Sequence, residues 1–306
     1  MAEMLNPRLD VVFKLLFADE RNRDLLVSLL NAILRPKQPI CQVEVVNPEI
    51  HKDGADDRGL TLDVLAVHEG GIRTNVEMQS VDRGTTENRA LYHWARLYRD
   101  GLGRGDDYAV LHPCRVVFIL AYPLLDGERM HSTFRVREIH DGAELSDALE
   151  IHTIELPKLA STKEVEPAEQ AAYAWACFLA AVTDEERRRL AMANPDIQKA
   201  TKALEQLSQD PKARMLAQWR EDELKLQRVA LATAEQRGRN EGRKEGHDEG
   251  RKEGRAEALK EAIGSLCDVL EIPLDDARRA RVDQSDAVAL ESLLGHLRTE
   301  RRWPQE

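Results

Sequence analysis

Cysteine is scarce in this chain, and its four copies, Cys41, Cys114, Cys177 and Cys267, include no CxxC pair. No two histidines stand four residues apart either, so neither a disulfide scaffold nor a structural zinc site is expected. Long apolar runs are also missing. Arg8, Asp10 and Lys14 interrupt the N-terminus where a signal peptide needs an unbroken apolar segment. The longest Ala-rich stretch, Ala171 to Val182, is too short to span a bilayer. Nor is there an excess of positive charge: 44 Lys and Arg against 55 Asp and Glu give a net charge of −11. That balance excludes a uniformly basic nucleic-acid coat and leaves room for a local cationic groove. The expectation is a cytoplasmic protein without membrane contact. What is present, 306 residues of which 42% are apolar, suffices for one large domain or two ordinary ones.

Apolar residues recur at helical spacing from Asn6 to Leu34 with a break near Ala18 and Asp19, which predicts two consecutive helices. Short runs rich in β-branched residues at 40–46, 60–67 and 72–79 predict strands, as do 115–121 and 150–155. Leu91, Trp94, Ala95 and Tyr98 place a helix over 88–99. The first ~160 residues thus read as an α/β layer fold. After Pro167 the composition turns to Ala, Leu, Glu, Arg and Gln, which predicts helices as far as Gln236. Four segments follow from this reading: a core at 1–160, a helical extension at 161–236, a glycine-repeat segment at 237–258, and a small helical cap at 259–306. Within the cap, short amphipathic helices are expected at 259–272 and 287–297, on either side of a Pro273 turn.

The chemistry concentrates in LTLDVLAVHEGGIRTNVEMQ, residues 60 to 79. Two predicted strands flank a short turn ending in Gly70 and Gly71, the pattern of a hairpin. Side chains alternate along a strand, so Arg73, Asn75, Glu77 and Gln79 share one face of the second strand. A three-residue loop at 69–71 sets Asp63 opposite Glu77, with Cβ atoms about 5 Å apart. Facing carboxylates repel, and a divalent cation between them resolves the repulsion; hard oxygen ligands favour Mg²⁺. The same spacing also suits two carboxylates that form salt bridges, Arg73 being one partner, or that face solvent. The hairpin by itself leaves these readings open.

The order of segments narrows the choice. DVVFKLLFADERNRDLLVSLLNAIL (10–34), VVNPEI (45–50), the hairpin, RALYHWARLY (89–98), GDDYAVLHPCRVVFIL (105–120), IELPKL (154–159), the Trp175 helix and a glycine-repeat tail together resemble the PD-(D/E)XK nuclease superfamily. More narrowly, they look like its recombination-promoting, transposase-like group. The resemblance implies a restriction-endonuclease-like core, a mixed sheet flanked by helices, and metal-dependent cleavage of DNA linked to recombination, mobile elements or defence. It implies that Asp63 and Glu77 are metal ligands, joined by the main-chain carbonyl of Met78, and that Gln79 takes the last motif position. Leu62 stands where the motif has proline, and Gln79 where it usually has lysine. A neutral amide can orient water but supplies no charge. The competing reading is a nuclease-like module that has lost chemistry and serves in binding or regulation. Asp10 and Lys14, one helical turn apart, and Arg89 are accessory candidates. Arg89 and Arg96 are placed to meet DNA phosphates. Tyr92, Trp94 and Tyr98 read as core or partner-facing residues. A small regulatory protein is a further expected partner, since a nuclease needs restraint in its own cell.

Gly238, Gly242, Gly246, Gly250 and Gly254 recur every fourth residue. On a helix they trace a side-chain-free stripe, with Glu241, Glu245, Glu249 and Glu253 on one flank and Arg239, Arg243, Arg251 and Arg255 on the other. Two parallel copies would set unlike flanks together, which predicts a homodimer. A solvated, flexible charged linker is the alternative reading.

Overall fold

The computed structural model describes residues 3–46, 64–162 and 164–304. Asp63, with the first residues of the run at 60–67, and Asn47 to Ile50 lie outside the described residues. The chain divides into two compact units, Met1–Arg228 and Val229–Glu306.

The first unit is built on a six-stranded sheet in the order β1-β2-β3-β4-β6-β5: β1 (Val43–Val45), β2 (Val64–His68), β3 (Ile72–Gln79), β4 (Cys114–Leu120), β5 (His131–Phe134) and β6 (Leu149–Glu155). β3, β4 and β6 run parallel, while β1 with β2, β2 with β3, and β5 with β6 pair antiparallel. The sheet is therefore mixed, with helices on both faces. One face carries α1 (Asp10–Phe17), α2 (Arg23–Leu34), α4 (Gln170–Ala180) and α6 (Pro195–Leu207); their apolar sides meet Val76, Met78, Val117, Ile119 and Ile154 in one core. The break between α1 and α2 falls at Ala18 and Asp19, where the Asp19 carboxylate accepts a hydrogen bond from the Arg21 amide. The other face carries α3 (Thr86–Arg99). Its Ala90, Trp94 and Leu97 pack on Val116, Phe118, Leu120 and Ile151. The alternation of β4 explains the division: its even-numbered residues supply the α3 side and its odd-numbered ones the other.

β5 was not expected from the sequence. HSTF is a four-residue edge strand with two exposed positions, too short to display an alternating pattern. Beyond α4, the helix α5 (Asp184–Ala193) starts in a capping box between Thr183 and Glu186.

α7 (Pro211–Val269) runs unbroken through all five repeat glycines, so of the two readings of that segment the helix is the one observed. The C-terminal unit closes with α8 (Asp276–Gln284) and α9 (Ala287–Glu300). Ile263, Cys267, Leu290, Leu293, Leu294 and Leu297 form its small core. The helix α8 is an addition to the expected pair. Only Val282 of DARRARVDQ is buried, so no apolar periodicity announces it.

Candidate active site

The hairpin holds the register expected from its loop. Val64 pairs with Val76, and His68 pairs with Ile72 across Glu69, Gly70 and Gly71. Both glycines have positive φ, 76° and 72°, and a Cβ on Gly71 would stand 2.8 Å from the His112 ring. This turn is therefore closed to ordinary side chains. The Glu69 carboxylate accepts hydrogen bonds from the amides of Cys41 (3.0 Å) and Gln42 (2.9 Å), fixing the approach to β1.

Asn75, Glu77 and Gln79 line the α3 side of β3, all buried although polar. Gln79 Nε2 donates to Glu77 Oε1 at 2.6 Å, and Gln79 Oε1 accepts from Arg89 Nη1 at 3.1 Å. Arg89 Nη2 closes the triangle with a short hydrogen bond and ion pair to Glu77 Oε1. His93, one helical turn beyond Arg89, sets Nε2 3.7 Å from Glu77 Oε2 and Nδ1 3.5 Å from Asn75 Nδ2. A buried carboxylate is costly unless paired. Here a strand supplies the acid and a neighbouring helix supplies the cation. Both ends of the Gln79 amide are engaged, so its direct effect is to hold Glu77 and Arg89 in register.

Two other accessory candidates, Asp10 and Lys14, lie on α1, which packs against β3. The Asp10 carboxylate is held by Arg220, whose Nε lies 2.8 Å from Asp10 Oδ1, while Arg220 Nη1 reaches Glu223 Oε2 at 2.5 Å. Lys14 is buried on α1. Trp94 and Tyr98 stack with ring centroids 5.1 Å apart, and Trp94 Nε1 donates to the Ala148 carbonyl at 3.1 Å, as core residues do. Tyr92 is exposed. Sequence reasoning missed His93 and Asn75. The signal available was spacing, since His93 follows Arg89 by four residues and Asn75 precedes Glu77 by two.

Among the described residues, no group of three His, Cys, Asp or Glu side chains could hold a metal ion. What they offer is one carboxylate with an adjacent main-chain carbonyl, a hard-oxygen donor set suited to a Mg²⁺-like cation once a second acid joins it. The sequence neighbour of Val64 is such an acid, Asp63.

A mixed sheet flanked by helices, with an acid and an amide two residues apart on its central hairpin, is the restriction-endonuclease-like nuclease architecture. The family model for the PD-(D/E)XK nuclease family transposases matches residues 7–234, and the chain belongs to that family. The nuclease assignment thus extends over the sheet and helices of the first unit and stops short of the glycine repeat. No curated protein and no solved structure matches the chain. Among the described residues, no helix is long and apolar enough to cross a membrane.

Proposed function

We propose that the chain is a divalent-metal-dependent DNA endonuclease, acting in the cytoplasm in recombination, mobile-element movement or defence, with its active site at the Glu77 end of β3. The observation that carries the reading is the hairpin register. Val64 and Val76 are paired, and the residues next to them in sequence are the two acids Asp63 and Glu77. Asp63, Glu77 and the main-chain carbonyl of Met78 would hold Mg²⁺. Carbonyls alternate sides along a strand, and that of Gln79 accepts from the Ala121 amide on the β4 side, which directs the Met78 carbonyl toward β2, the strand that follows Asp63. When bound there, the cation lowers the pKa of a water and stabilises negative charge on the scissile phosphate.

The chain's own residues supply the rest. Glu77 contributes negative charge in a buried setting. Arg89 supplies the cation that Gln79 cannot, and its side chain, 34% exposed, would be open to a DNA phosphate. Gln79 keeps the two aligned. The Arg89–Glu77 ion pair also favours a second reading, a catalytically weakened module in which the arginine stands in place of the metal. Cleavage of supercoiled plasmid with and without EDTA separates them. The endonuclease reading expects nicks that require Mg²⁺ and vanish in Asp63→Ala and Glu77→Ala. Mg²⁺-dependent cleavage that survives both substitutions overturns the site assignment, and no cleavage by the parent favours the module.

The self-association reading stands beside this one. Residues 228–255 of α7 are exposed along their whole length, and among the described residues nothing lies within 4 Å of a Cβ added at any of the five repeat glycines. Glycine costs a helix roughly 1 kcal/mol relative to alanine. A parallel second copy, placing the Glu flank against the Arg flank, would offset that cost. A small regulatory protein as a further partner rests on physiological need alone.

A further inference from the structure

Far from Glu77 in the strand order, and on the opposite face of the sheet, lies a second buried polar cluster that the proposed reaction does not use. His131 on β5 and His152 on β6 are 5% and 1% exposed. His131 Nε2 and His152 Nδ1 are 2.9 Å apart. At one end His131 Nδ1 meets Glu169 Oε2 at 2.8 Å; at the other His152 Nε2 meets Glu150 Oε1 at 2.7 Å. Arginines close both ends. Arg35 Nη1 lies 2.6 Å from Glu169 Oε1, Arg135 Nη2 lies 2.5 Å from Glu150 Oε2, and Arg115 Nε lies 3.5 Å from Glu150 Oε1. Glu144 adds one more carboxylate, 3.6 Å from Arg135. Thr133 Oγ1 stands 3.3 Å from His152 Nδ1.

Counting protons along this chain gives a definite answer. An ionised carboxylate only accepts, so His131 Nδ1 and His152 Nε2 must both carry hydrogen. The contact between the rings needs one proton and has room for only one. Three protons on four ring nitrogens leave the pair with a single positive charge shared between two rings. We propose that His131 and His152 form a one-proton latch, pH-sensitive in both directions, that fastens edge strand β5 and β6 to the start of α4 and the end of α2. Removing the shared proton sets two lone pairs face to face. Adding another sets N–H against N–H; His152 Nδ1–H can then turn to Thr133, but His131 Nε2–H loses its acceptor.

The surroundings keep Glu150 ionised and resist a further proton on His131. Glu150 is held down to about 2: its burial acts to raise it and is outweighed by His152, Arg115 and Arg135. His131 is held below its ordinary value, chiefly by burial and also by His152 and Arg35, against the pull of Glu169. The unfolded chain titrates its histidines near ~6.5, whereas folded His131 resists its second proton, so the unfolded state binds more protons just below that pH. Stability therefore falls as pH drops from the unfolded value toward the lowered folded one.

The test uses the full chain, ¹⁵N-labelled, with long-range ¹H–¹⁵N spectra of the histidine rings at pH 7.5 and thermal unfolding from pH 6.5 to 5.5. His131→Gln and His152→Gln assign the signals. The latch requires three protonated ring nitrogens in the pair at pH 7.5. It also requires an acid-induced drop in unfolding midpoint larger in the parent than in His152→Gln by about 2–4 °C. Two rings that titrate independently near ~6.5, or an equal drop in parent and variant, overturn it. Should the variants fail to fold, the parent decides by itself: the two slowly exchanging buried rings must hold three protons between them at pH 7.5, and a count of two or four overturns the latch.

Discussion

Two strands of one sheet carry the same short pattern with different outcomes. On β3, Glu77 is followed two residues later by Gln79, and the pair is closed by Arg89. On β6, Glu150 is followed two residues later by His152, and the pair is closed by Arg135 and Arg115. Both acids are buried, so each must be answered by charge or hydrogen bonds. On β3 the closest answer comes from a guanidinium and an amide, with the His93 imidazole 3.7 Å from the same carboxylate. On β6 it comes from two imidazoles that must share a proton. The guanidinium keeps a fixed positive charge beside Glu77. The titratable pattern suits a latch.

Breaking the acid of β3 should have the largest effect. Glu77→Gln keeps the shape and removes the charge, and cleavage of plasmid by the variant should fall on the order of 10²–10³-fold, read from initial nicking rates. Glu150→Gln, the same exchange on β6, should leave cleavage at neutral pH nearly unchanged and act on stability instead. With its carboxyl held at about 2 in the fold, Glu150 stabilises the protein above the unfolded carboxylate range near 4.5, and that contribution disappears as pH falls through about 2. Its size is roughly 3 kcal/mol, so the variant should unfold at lower denaturant at pH 7 and lose less on acidification.

Arg89 sharpens the comparison. Arg89→Ala should slow cleavage about 10–100-fold, and adding Gln79→Lys should recover part of that loss by returning a cation to the strand. No recovery in the double variant would mean that Arg89 acts on DNA and not on Glu77. The smallest effect is expected at the glycine repeat. Gly246→Leu should stabilise an isolated helix by up to about 1 kcal/mol yet weaken a close-packed pair, so its sedimentation mass should fall while its helicity holds. Unchanged mass with a raised melting point would mark a solvated helix.

The legibility of the chain followed its periodicity. The paired helices of α1 and α2, the β2–β3 hairpin with its register, α3 and the central strands all announce themselves through apolar spacing and the Gly70–Gly71 turn. β5 and α8 do not, since one is a four-residue edge and the other buries a single apolar residue. The candidate site was legible to the extent that its described residues lie on one strand. Glu77 and Gln79 follow from alternation, whereas their closure by Arg89 and His93 depends on how α3 packs across β3, a tertiary fact that no local pattern encodes. The β5–β6 histidine pair was illegible for the same reason: its partners are Arg35, Arg115, Arg135 and Glu169, scattered along the chain.

The central claim is that Asp63 and Glu77 together hold one divalent cation. Titration calorimetry of the full chain with Mg²⁺, set beside Asp63→Ala and Glu77→Ala, tests it without relying on cleavage. Binding in the parent that is lost in either variant is the predicted result. Undiminished Mg²⁺ binding in both variants would contradict the account.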